Sequence, residues 1–163
     1  MRIFGVVVLY EPKSEFLDNA FYLSRFVEKL YLVDNSESRV WGAKQRDFIA
    51  SSPNVEYIPF GGNKGVAYAL NFGAQKAFSE GANWLLTMDQ DSAFVENGLP
   101  VLVDFAQRCD PKRVGIVSPV HWVSGICPLP CEEVVEVLVT MTSGNLVSLQ
   151  AYKEVGGWRE DFL

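Results

Sequence analysis

The sequence predicts an α/β protein, a mostly parallel central sheet flanked by helices in three layers, and three observations carry that expectation. Short runs of β-branched and aromatic residues read as strands buried on both faces. They alternate with segments whose apolar residues recur at three- and four-residue spacing, which makes consecutive strands parallel through helical crossovers. Polar residues then collect where strands end, the edge at which such sheets bind ligands.

In chain order, "IFGVVVLY" (3–10) is the first strand. Phe16, Ala20, Leu23, Val27 and Leu30 form one helical stripe, with Glu15 and Asp18 near the positive helix start. "YLVDNS" (31–36) is a second strand closing on a turn, a weaker helix covers about 40–51, and "VEYIPF" (55–60) is the third strand. "GGNKG" (61–65) breaks the pattern. Val66, Leu70, Ala74, Ala77 and Phe78 then mark a helix stopped by Gly81, in which Ala67, Ala69, Gly73 and Ala74 are small enough for close packing on the sheet. "NWLLTMD" is strand four, a helix fits about 97–108, and "VGIVSPV" (114–120) and "VVEVLVTM" (134–141) read as strands five and six. With no repeat, low-complexity tract or linker, residues 1–163 read as one domain.

Composition narrows the function. The 163 residues are 48% hydrophobic and 21% charged, as in ordinary globular proteins. A net charge of −6 argues against nucleic acid as the main partner, and an anionic substrate would need local help from a cation. No apolar stretch approaches a membrane span and Met1-Arg2 leads straight into a strand, so the expected location is cytoplasmic. Three cysteines suggest no disulfide framework. "CPLPC", with Cys127 and Cys131 and the single histidine His121 nearby, reads as a proline-shaped loop rather than a zinc site.

The chemistry-bearing stretch is "LLTMDQDSAF", a strand ending on Asp89 and Asp91 with Gln90 between them. Residues two apart on a strand point the same way, so two carboxylates converge there, to be relieved by a divalent metal, a basic side chain or solvation. Hard paired oxygens suit Mg²⁺ or Mn²⁺ bridging a diphosphate, whereas taken alone the spacing is more simply a solvated turn. Gly61, Gly62 and Gly65 open a helix whose amino end favours an anion, or form a helix entry with no ligand. Asp34 either caps its own turn or hydrogen-bonds a base or ribose.

"VVVLYEP", "LVDNSE", "GGNKGVAYALNFGAQKA", "LLTMDQDS" and "TSGNLVSLQAYKEVGGWREDF", in this order, resemble the inverting family 2 glycosyltransferases with the GT-A fold, especially the rhamnosyltransferase-like branch. The resemblance implies transfer of a sugar, rhamnose by that branch, from a TDP- or UDP-sugar to a saccharide or lipid-linked acceptor, at a cytoplasmic location close to the membrane. It implies that Tyr10 and Glu11 flank the base, that Asp34 contacts base or ribose, and that Asn63 to Gly65 lie near the nucleoside and diphosphate. Asp89 and Gln90 would border the ribose and diphosphate, Asp91 with Asp89 would hold a divalent metal, and Ser143, Gly144 and Asn145 would border the sugar pocket.

The family's usual base is an acidic residue shortly after a "GGxxExF"-like stretch, so it is expected beyond Leu163, with the acceptor-side portion absent. Within the chain, Glu160 and Asp161 are the acidic residues nearest that role, Asp161 being the substitute. Trp158 is read either as a sugar-stacking ring or as a hydrophobic plug after Gly156-Gly157, and His121-Trp122 as the start of a flap near the sugar.

Rivals fit less well. A haloacid dehalogenase-type phosphatase carries D-x-D in its first strand, with Thr or Val four residues after the first Asp; here the pair ends the fourth strand and Ala93 stands at that position. No G-x-G-x-x-G follows the first strand, against a dinucleotide-binding dehydrogenase, and the glycine- and arginine-rich loop of sugar nucleotidyltransferases is absent. A nucleotide-binding chain without transfer activity stays open.

Overall fold

The computed structural model describes residues 1–14, 16–37, 41–122 and 134–161. Cys127, Cys131 and Glu15 lie outside them. Among the described residues six strands form one sheet: β1 (Ile3–Leu9), β2 (Lys29–Asp34), β3 (Val55–Pro59), β4 (Trp84–Asp89), β5 (Ile116–Val117) and β6 (Asn145–Ser148). The helices among them are α1 (Phe16–Ser24), α2 (Ala43–Ser51), α3 (Val66–Ser79), α4 (Gly98–Arg108) and α5 (Leu149–Val155).

The sheet order is β3-β2-β1-β4-β6-β5. The first four strands pair in parallel, while β6 runs antiparallel to both β4 and β5. Alternation along β1 divides the core. Ile3, Val7 and Leu9 face the side covered by α1, α2 and α4; Phe4, Val6 and Val8 face α3 and α5. Two close approaches are tight, one within the sheet and one between α3 and the sheet. A Cβ on Gly5 would stand 2.7 Å from Leu30, and one on Gly73 would stand 2.8 Å from Val6, so α3 packs directly on β1.

Because β1 is followed by β2 on one side and is joined on its other side by β4, strand order reverses between β1 and β4. A crevice at the carboxyl ends of such a pair is where open α/β sheets bind ligands.

Several sequence expectations need correction. Residues 134–141 form no strand: Val134, Leu138 and Val139 are exposed, and the place beside β4 is taken by the four-residue β6. The free edge of β4 selects the strand that can pair, and intrinsic β preference alone does not. Helix α1 ends at Ser24, so Val27 packs from a turn and Leu30 from inside β2. Strand five shrinks to two residues. Val66 and Phe78 at the ends of α3 are exposed, and its buried stripe runs instead through Ala69, Leu70, Gly73, Ala74 and Ala77. Helix α5 was not expected; Ser148 starts it by accepting the Ala151 amide at 3.2 Å, and Gly156 at φ +87° ends it.

Candidate functional site

At the β1/β4 crevice, Gln90 continues the ladder with its side chain. Its Oε1 accepts the Tyr10 amide at 2.8 Å and its Nε2 donates to the Tyr10 carbonyl at 3.0 Å. That amide clamp joins the two strand ends and leaves the Tyr10 ring half exposed. Glu11 takes φ +44°, a rare conformation for a residue with a Cβ, and its amide is held by Ser36 Oγ at 2.8 Å.

Asp34 is the hub beneath this turn. Its Oδ1 accepts from the Ser36 amide at 2.9 Å and from Ser36 Oγ at 2.5 Å, while Oδ2 accepts the Tyr57 hydroxyl at 2.8 Å. Tyr57 in turn receives the Trp41 indole N–H at 2.9 Å. The carboxylate is only 2% exposed, so in this arrangement it anchors the turn of Ser36 and Glu11 rather than facing outward.

Asn35, which sequence reasoning took only as a turn residue, links the β2 end to the glycine loop. Its Nδ2 donates to the Gly65 carbonyl and its Oδ1 accepts the Lys64 amide, both at 3.2 Å. Asn63 Oδ1 accepts the Gly65 amide at 2.9 Å, and Gly65 itself takes φ +87° at the amino end of α3. A glycine is needed there on backbone grounds alone. A "DN" pair at a strand end followed by a distant glycine loop was the available signal for Asn35.

The two carboxylates are brought together differently from the sequence expectation. Asp89 is the last residue of β4, but Asp91 lies in the turn beyond it, so strand alternation does not orient the pair. Asp89 is partly buried and Asp91 exposed. Burial first, and the Asp91 charge second, raise the Asp89 carboxyl above its usual value, against a lowering hydrogen bond from Ser143. Among the described residues neither carboxylate forms an ion pair.

Ser143, Gly144 and Asn145 stand directly beside this pair. Ser143 Oγ accepts the Asp89 amide at 3.0 Å, the Gly144 amide donates to the Thr87 carbonyl at 2.7 Å, and Thr87 Oγ1 donates to the Thr142 carbonyl at 2.5 Å. Asn145 is 3% exposed; its Nδ2 donates to Met141, and its Oδ1 has no partner among the described residues. Crossing from β4 to β6 is what places residues so distant in sequence together.

Trp158 and the acidic end belong to a second fixture, built on Asn71 of α3. Asn71 Nδ2 donates to the Trp158 carbonyl at 2.8 Å and to Glu160 Oε1 at 2.7 Å, and its Oδ1 accepts the Trp158 amide at 2.9 Å. The Trp158 ring packs 5.2 Å from that of Tyr152 and against the apolar layer under α3, as a plug would. Asp161 pairs with Arg159, which holds its carboxyl below the usual range. A cleft of about 470 Å³ between α1 and the β4–α4 loop is lined by Asp18, Tyr22, Phe94 and Glu96 and includes neither Asp89 nor Asp91 in its lining.

Comparison with known proteins matches this layout to a family. The sequence model for Glycosyl transferase family 2 matches residues 16–121, most of the chain. The chain belongs to glycosyl transferase family 2. Among curated relatives it is 26% identical over 183 residues to the dTDP-rhamnosyl transferase RfbF of Shigella flexneri, covering 98% of this chain and 58% of that protein. The fold is shared with crystal structures of S. aureus TarS. The 1–349 form superposes with a TM-score of 0.70 at 14% identity, covering 99% of this chain and 51% of that one. A UDP complex of the same form gives 0.71 at 16%, covering 99% and 51%. The fold is therefore the GT-A-like α/β arrangement expected from the sequence.

Proposed function

We propose that this family 2 chain binds a nucleoside diphosphate sugar at the β1/β4 crevice and serves inverting transfer of that sugar, with a divalent cation held by Asp91 and Asp89. The observation that carries the reading is the carboxylate couple, without an ion pair among the described residues, with Asp89 raised by burial and by Asp91 at the point where strand order reverses. RfbF is named for dTDP-rhamnose transfer, and TarS has been crystallised with UDP and with UDP-GlcNAc. Those names favour a TDP- or UDP-sugar, rhamnose being the sugar that the RfbF likeness suggests; a saccharide or lipid-linked acceptor is proposed from the family resemblance alone.

The donor set fits a hard cation. Two carboxylates without a counter-charge lie one residue apart, and no third His, Cys, Asp or Glu converges with them among the described residues. Water and phosphate oxygens would therefore complete the shell. A bound Mg²⁺ or Mn²⁺ would offset the negative charge that gathers on the departing diphosphate.

The remaining roles fall to the chain itself. Tyr10 and Glu11 present the β1 turn to the base, held from below by Ser36 and Asp34. Asn63 and Gly65 shape the α3 amino end, which favours the diphosphate. Ser143, Gly144 and Asn145 border the sugar, where the orphaned Asn145 Oδ1 is ready to accept a hydroxyl. Such a buried acceptor without a partner costs about 1–3 kcal/mol until something donates to it.

For the base the described residues offer little. Asp161 is paired with Arg159, which lowers its carboxyl and weakens it as a base, and Glu160 is held by Asn71. This favours, as a second reading, donor binding by these residues without transfer. No helix among the described residues is long and apolar enough to cross a membrane.

Thermal unfolding with UDP, TDP and GDP, each with and without Mn²⁺, tests the donor reading. Saturation at about 100 times Kd should add roughly 2.7 kcal/mol, or about 5–10 °C. A shift that requires Mn²⁺ and one particular nucleotide supports the reading and names the base; no shift with any of the three rejects it. A labelled nucleotide sugar then separates transfer from binding alone.

A further inference from the structure

We propose that His121 is a positioning residue for Asp89, acting through the peptide between Ser143 and Gly144; its part in donor binding rests on the function proposed above. His121 Nε2 lies 2.6 Å from the Ser143 carbonyl oxygen. A carbonyl only accepts, so Nε2 carries the hydrogen and donates. The N–H at the other side of the same peptide, that of Gly144, donates to Thr87 at 2.7 Å. Both polar groups of one peptide plane are thus held, one from β4 and one from the segment after β5.

The plane needs holding because Gly144 sits at φ +78°, where a residue without a side chain rotates freely. Ser143 is 3% exposed with His121 in place, so in the intact turn its carbonyl relies on the imidazole as donor. Loss of this tether would let the Ser143–Gly144 turn shift as a whole from β4, and with it Ser143 Oγ from the Asp89 amide it accepts at 3.0 Å. His121 also helps close the space around the turn. A Cβ on Gly144 would stand 3.3 Å from Pro119, 3.6 Å from Phe94 and 3.8 Å from His121 Nε2. The flap reading of His121 thereby becomes a specific contact beneath the sugar-side turn.

The test uses His121→Ala and His121→Gln, whose amide N–H reaches the same carbonyl, with two readouts. Amide hydrogen exchange by NMR is expected to speed about tenfold at Asp89 and Gly144 in H121A, with β1 amides unchanged, and to return in H121Q. In the same variants, Kd for UDP or TDP with Mn²⁺ should weaken about fivefold in H121A and recover in H121Q. Unchanged exchange at both amides overturns the inference, as does equal acceleration across β1, which would mark general loosening. Equal loss in both variants overturns it too. If the wild type binds no nucleotide, the donor reading falls, and the exchange result alone decides whether His121 positions Asp89.

Discussion

At the amino end of the sheet, Lys29, Glu56, Lys76 and Glu80 close a ring of ion pairs of 2.9–3.3 Å, whereas at the carboxyl end Asp89 and Asp91 stand without one among the described residues. The lower ring lies over the Tyr31 face, with the two lysine nitrogens 5.7 and 5.5 Å from its centroid. Glu80 is held down at about 2, first by its hydrogen bond to Lys29 and also by Lys76, against the opposing cost of burial. Asp89 is moved the other way by burial and by Asp91. One pole thus gains stability from its charges and the other stores repulsion that a cation could relieve.

The comparison breaks first at the upper pole. Asp91→Ala should abolish the Mn²⁺-dependent stabilisation by nucleotide, a loss of roughly 2.7 kcal/mol at saturation, while the unliganded melting temperature holds or rises. A fall in unliganded stability would show that Asp91 is a structural residue.

Asn35→Ala comes next, at about 2 kcal/mol, because it leaves the Gly65 carbonyl and the Lys64 amide each short of a partner. Urea unfolding reads the loss, and the nucleotide shift should shrink with it as the glycine loop loosens.

Glu80→Gln tests the lower pole. The side chain is 31% exposed and both lysines keep Glu56, so we expect a cost of about 1–2 kcal/mol at pH 7. The folded carboxyl titrates below its unfolded value of 4.5, so the stabilisation is complete above that value and is lost as pH falls from 4.5 toward about 2. Urea titrations of wild type and variant should therefore converge in that window.

The smallest effect has the opposite sign. Asp89 is raised in the folded state, so ionisation of the unfolded chain above pH 3.8 works against folding. Asp89→Asn should raise the unliganded urea midpoint slightly at pH 7, and the gain should vanish below pH 3.8. A lower midpoint at neutral pH would mean that the Ser143 hydrogen bond outweighs the repulsion.

Legibility follows the same physics. β1 through β4 and α3 could be read because strands buried on both faces must be continuously apolar and a helix packed on the sheet must carry small residues on one stripe. Residues 134–141 misled for the complementary reason, since their composition suits a strand but pairing depends on which segment meets the free edge of β4. Of the site, Tyr10, Gln90, Asp89 and Asp91 were visible as polar residues at strand ends. Asn35, Tyr57 and Asn71 were not, because they bond residues 30, 23 and 89 positions away along the chain; His121 was read only as the start of a flap, its contact with Ser143 lying 22 residues away.

The sequence by itself determined the parallel α/β layout, the edge where ligands collect and the motifs that mark the family. Those features are local, set by periodicity and by backbone needs at single residues. Tertiary structure decided that Asp34 lies buried as an anchor, that the Trp158 ring packs on Tyr152 and the layer under α3, and that Asp91 follows Asp89 in a turn rather than in the strand. It also set Ser143 and His121 around that pair. Each depends on burial and on partners distant in the chain, which only the packed sheet supplies.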